Sequence, residues 1–158
     1  MANAAAICTS FKVELLNAVH QFGSPTIVSR TSLTAPTADT FKCALYTTAG
    51  SIGAGTTAYG ATNEVSNSGT YSAGGATFTW VAPNSSGTTA FSTPSASISW
   101  TGVTFTTDCC LLYNSTQSNK AIATYALGTI GVGQSVSAGN FTLTMPTNDA
   151  STGLLRIA

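Results

Sequence analysis

ATFTWVA, residues Ala76–Ala82, alternates without a break: Phe78, Trp80 and Ala82 fall on one face, and Thr77, Thr79 and Val81 on the other. A period of two places successive side chains on opposite faces of an extended chain, so this run is a strand with one apolar face buried. Asn140–Met145 repeats the pattern, with Phe141, Leu143 and Met145 set against Thr142 and Thr144. Outward from these two, runs rich in β-branched and aromatic residues recur at Phe41–Thr48, Ala96–Thr101, Val103–Thr107, Cys109–Tyr113, Ala121–Leu127 and Leu154–Ile157. Gly, Ser, Asn or Pro separate them, as expected of turns. Roughly eight closely spaced strands predict a mainly β chain, an antiparallel β-sandwich with a jelly-roll as one form of it. An open sheet is disfavoured because its edges would aggregate on so uncharged a chain.

Before the strands, one helix is expected. Phe11, Leu15, Ala18, Val19 and Phe22 recur on one face while Lys12, Glu14, Asn17 and Gln21 lie elsewhere, with Thr9 or Ser10 as the cap and Gly23-Ser24-Pro25 as the stop. The chain then divides into an N-terminal helical segment at 1–25, a linker at 26–40 and a β-sandwich domain at 41–158. The glycine-rich stretch Ala49–Gly75 is too long for an idle loop. With Tyr59, Val65 and Tyr71 as anchors, it is expected to hold short strands or to lie as an extended excursion over a partner.

Only 6% of the 158 residues are charged, five basic and five acidic, and the formal net charge is zero. Soluble domains carry about 25%. Neither self-repulsion nor a charged solvation shell keeps such a surface from associating, so it reads as that of a subunit packed against copies of itself or a larger partner. No basic stripe is present to follow a phosphate backbone, so no direct nucleic-acid partner is expected. No apolar run reaches the roughly eighteen residues of a membrane helix, and Met1–Cys8 lacks the basic n-region of a secretory signal. No membrane partner is expected either.

Candidate chemistry is sparse. Cys8, Cys43, Cys109 and Cys110 have no CxxC spacing and only His20 as an imidazole, so no metal site is expected and the cysteines read as small buried hydrophobes. His20 reads as a capping or solvent-facing group at the end of the helix. Asp39, Glu64, Asp108 and Asp149 fall in turns or at strand ends, where such side chains bond the local backbone. The glycine clusters at 53–55 and 128–133 match no phosphate loop. The sequons at Asn84, Asn114 and Asn140 read as chance matches in a Ser/Thr-rich chain. Trp80 and Trp100, with Phe78, Phe91, Phe105, Tyr113, Tyr125 and Phe141, could stack sugars, but their alternation favours a core. No catalytic residue and no cofactor follow from these features.

Several tracts together carry a resemblance: MANAAAICTSFKVELL at the start, TFKCALY at 40–46, GAGTTAY and the following EVS and GTYSAGG within 53–75, CLLYNSTQSNKA at 110–121, and GNFTLTMPTNDASTGLLRIA at 139–158. The chain resembles a group of small structural proteins of tailed bacteriophages. That resemblance implies a virion component assembled in the bacterial host cytoplasm, foremost a cement or decoration protein on the capsid exterior, with the major capsid protein or other virion subunits and further copies of itself as partners. Tail-associated or head-to-tail connector proteins are the alternative, as is a glycan-binding tail module. The terminal segments are the natural bridges, and their apolar residues Phe11, Leu15, Val19, Leu154, Leu155 and Ile157 are the candidate contacts.

Overall fold

The computed structural model describes residues 3–16, 19, 20, 22 and 38–158. It is mainly β with antiparallel sheets. A five-stranded sheet runs in the order β1-β8-β7-β2-β3, built from β1 (Ala6–Ile7), β8 (Lys120–Ala126), β7 (Cys109–Asn114), β2 (Phe41–Tyr46) and β3 (Ala76–Phe78). A long ribbon pairs β6 (Ile98–Thr107) with β9 (Gln134–Leu143), and a three-stranded sheet takes the order β10-β5-β4 from β10 (Leu155–Ile157), β5 (Thr89–Ser92) and β4 (Asn84–Ser86). These sheets do not close on one another.

β7, CCLLYN, is buried at every position and β2 nearly so. A strand covered on both faces needs no polar alternation, and these two form the centre of the core. Phe41 pairs with Asn114 and Tyr46 with Cys109, which aligns the two apolar runs in full. All four cysteines are buried free thiols that fill this interior as small hydrophobes do. Burial pushes the Cys8 thiol up to about 11 and the Cys109 thiol up to about 12. Trp80 and Trp100 are 6% and 2% exposed, core residues as their alternation predicts.

The two runs expected at Ala96–Thr101 and Val103–Thr107 are one strand. Gly102, at φ +63°, inserts an extra residue between Trp100, opposite Phe141, and Val103, opposite Gly139. A bulge shifts the parity of the strand, so Ile98 and Trp100 before it and Val103 and Phe105 after it all point inward. Ala138, at φ +45°, supplies the compensating residue on β9 before Phe105 meets Val136. β9 also begins earlier than Asn140, because pairing with β6 recruits QSVSAG, which has little alternation of its own. β3 is shorter than expected, and Trp80 continues it only as an isolated bridge to Pro94.

The helix α1 covers Thr9–Leu16, shorter than expected. Its first N–H groups are met by the loop at 53–54: Thr9 N donates to Ala54 O at 2.9 Å, while Ser10 Oγ is buried without a partner among the described residues. Ser10 therefore does not cap through its hydroxyl. At the other end Val19 N donates to Glu14 O at 3.0 Å, closing the helix early. Ahead of it, residues 6 and 7 pair with Thr124 and Ala123 as the edge strand β1, so the N-terminal segment is part of the sheet. Ala18 of the predicted helix face, the stop at 23–25 and most of the expected linker at 26–40 lie outside the described residues.

The stretch 49–75 folds back on its own sheet, correcting the expectation of an excursion over a partner. Ile52, Val65 and Tyr71 are buried, and Tyr59 stacks on Tyr113 with ring centroids 4.7 Å apart.

Candidate interaction surface

The acidic side chains show where the polar groups go. Glu64 is 9% exposed and accepts Tyr59 Oη at 2.6 Å on one oxygen, and Tyr71 Oη at 2.8 Å and Gly74 N at 2.7 Å on the other. It clamps the folded-back stretch from inside, a role its place in a turn does not reveal. Tyr113 hydroxyl donates to Gly74 O at 2.7 Å nearby, and burial together with the Glu64 charge pushes this phenol up to about 12.

Asp108 is fully buried and accepts Asn3 Nδ2 at 2.5 Å and Gly131 N at 2.8 Å. Asn3 also donates to Thr47 O and accepts from Ile52 N, so one amide joins the N-terminus to two loops. Asp149 behaves as the sequence suggests, accepting Ser151 N and Thr152 N, each at 2.7 Å, within its own turn.

His20 is buried beyond the end of α1, which corrects the expectation of a capping or solvent-facing group. Its Nε2 lies 2.7 Å from Glu14 Oε2 and its Nδ1 3.1 Å from Asn114 Nδ2. With Nδ1 accepting from Asn114, Nε2 is the nitrogen that donates to Glu14. Lys120 Nζ donates to the other Glu14 oxygen at 2.6 Å. Burial pushes the Glu14 carboxyl up, but the hydrogen bonds from Lys120 and His20 outweigh it and hold the group below its ordinary range. The Asn114 amide makes four hydrogen bonds: Nδ2 to His20 and to Asp39 Oδ2, and Oδ1 from Thr116 N and Gln117 N. It is saturated. This network docks α1 and His20 onto the end of β7, and its sequon asparagine has no exposed nitrogen to modify.

Each of these groups is taken up by a partner within the chain. Among the described residues no three His, Cys, Asp or Glu side chains are grouped to hold a metal ion. Nor is any described helix long and apolar enough to cross a membrane.

The six candidate contacts separate into three groups. Phe11 is fully buried, its ring 4.9 Å from that of His20 and 6.0 Å from that of Phe22, and has no surface left to offer. Val19 and Leu154 are half-buried. Leu15, Leu155 and Ile157 come together from opposite ends of the chain. With Phe22, Pro83 and Phe91 they line an apolar groove of about 120 Å³ between α1 and β10. Ile157 is 48% exposed at its rim. Phe91 belongs to the β4–β5 hairpin, which only the fold brings beside the helix.

The sequence and the fold were compared with known families, with characterised proteins and with solved structures. Nothing matched.

Proposed function

We propose that this chain is a structural subunit of a bacteriophage virion, and in particular a cement or decoration protein that binds the outside of the capsid shell and stabilises it without chemistry of its own. The carrying observation is the surface: 6% charge in the whole chain, with all five acidic side chains engaged internally. Such a surface lowers the desolvation cost of packing against neighbours. The tracts that resemble phage structural proteins support the viral setting. In this reading the layered antiparallel sheets form a β-sandwich, a rigid body suited to repetition on a lattice, and the apolar groove formed by both ends of the chain is its contact surface. Many modest contacts multiplied over symmetry copies hold a shell more firmly than one strong one.

The test is binding of the purified protein to expanded empty shells, with a cryo-EM map of the intact particle to locate its density. Density on the shell exterior, bridging capsomers, is the expected result. Density confined to the tail or the connector would replace the cement assignment, and absence from purified particles would overturn the virion reading.

A further inference from the structure

Cys43 lies in β2 and Cys110 in β7, and the register sets Cys43 opposite Leu112 and Cys110 opposite Leu45. The four positions share one face of the sheet, with the two cysteines on its diagonal. Cys43 and Cys110 line a cavity of about 420 Å³ between the sheet and the end of β9, and Met145 lines it too. Gln134, Thr142 and Thr144 are exposed members of the same lining, so the cavity opens to solvent there. The other two thiols are engaged elsewhere: Cys8 Sγ donates to Gly53 O at 3.8 Å and Cys109 Sγ to Cys110 O at 3.7 Å. Cys43 and Cys110 instead meet each other. A hydrogen bond between them, and burial after it, hold the Cys43 thiol well above its ordinary value.

We propose that Cys43, Cys110 and Met145 form a binding site for a soft monovalent metal ion of the Cu(I) class, held by three sulfurs at the wall of this cavity. Thiolate and thioether donors select Cu(I), whereas calcium and magnesium take oxygen ligands. The described lining carries no carboxylate, and no imidazole or third thiol that would complete a four-coordinate zinc site. The diagonal spacing also favours an ion over a disulfide. Diagonal positions of an antiparallel pair lie about 7–8 Å apart, beyond the ~4.4–6.8 Å that a disulfide spans between Cα atoms. An ion between the sulfurs adds two bonds of roughly 2.3 Å, judged by zinc–thiolate lengths, in place of one of about 2.05 Å. On binding, one thiol gives its proton to water and becomes the thiolate. The second thiol and the thioether bind as neutral donors, so the ion's single charge is balanced and the uncharged cavity gains none. No electron moves. The sequence does not show this set, because strand register brings the donors together and no short spacing does. The proposal is independent of the virion reading.

The test is anaerobic titration of the full chain with Cu(I) supplied as its bicinchoninate complex, read by the loss of the chelate's colour. One ion per chain is expected, bound more tightly as the pH rises because binding releases a proton. Cys8→Ala and Cys109→Ala should keep the ion, and Cys110→Ala should lose it. Met145→Leu conserves volume and should weaken binding by about tenfold or more, the cost of losing even a partner one shell further out. Near-ultraviolet circular dichroism reports whether each variant is folded; if Cys110→Ala is not, Met145→Leu decides. No transfer from the chelate would overturn the proposal. So would an ion that a folded Cys110→Ala retains, one that Met145→Leu holds as tightly as the wild type, or one that Cys109→Ala loses while folded.

Discussion

Gly75 shows how a single backbone position determines whether the folded-back stretch can reach the sheet. Its φ is +71°, and a Cβ built there would lie 1.9 Å from Cys43 O. Both the left-handed backbone and the close approach to β2 exclude a side chain. Gly87, at φ +58° in the β4–β5 turn, shares the backbone strain but has open space around its missing Cβ. Gly87→Ala should therefore cost only the left-handed penalty, about 1–2 kcal/mol. Gly75→Ala should cost more than about 4 kcal/mol, since a backbone atom cannot yield as a flexible side chain does. Denaturant unfolding of the two variants checks the difference, and equal losses would show that the approach to Cys43 relaxes freely. Composition marks both residues as turn formers; only the contact with β2 separates them.

At the scale of elements, α1 is too short to stand alone, since isolated helices below ~12–15 residues are marginal in water. It is held by Phe11 in the core and by Glu14 against Lys120 and His20. The folded Glu14 carboxyl titrates below its ordinary range, so the unfolded chain takes up a proton first as the pH falls. Its stabilisation is complete above the unfolded value, about 4.3, and is lost as the pH drops through the lower folded one. The thermal midpoint of the wild type should exceed that of Glu14→Gln at neutral pH, and the gap should narrow on acidification. The two ends should also differ on truncation. Removing residues 1–22 takes away β1, Asn3, Phe11 and His20 and should abolish cooperative unfolding by circular dichroism. Removing Gly153–Ala158 takes away one edge strand and one wall of the groove, and should leave a folded domain with reduced occupancy on particles.

For the whole molecule, sparse charge limits how partners can be recognised. The five acidic side chains are engaged within the chain, and Lys120 is paired with one of them. Binding that rests on apolar and backbone contacts changes little when salt shortens the Debye length from about 10 Å at 0.1 M to about 3 Å at 1 M. Occupancy on shells should therefore survive a rise in salt over that range. A steep fall in a co-sedimentation assay would point to the few remaining basic residues as the contact.

The β class, most strand positions and the inward direction of Trp80 and Trp100 were legible from periodicity, because alternation is a local property that burial on one face imposes on each strand separately. The β4–β5 hairpin was not, since the Asn84–Ser86 strand is wholly exposed and carries no apolar signal. Gly102 was legible as a break, yet its bulge joins the runs on either side, which depends on the partner β9. The candidate contacts were chosen from the apolar character of the two ends, and three of them do meet in one groove. Phe11 is absorbed into the core instead, and Phe91 joins the groove from a hairpin distant in sequence from both ends. The polar network follows the same rule: Glu14, His20 and Asn114 each look ordinary in their local setting. Which side chains become neighbours depends on the packing of distant segments, and no local period encodes that packing.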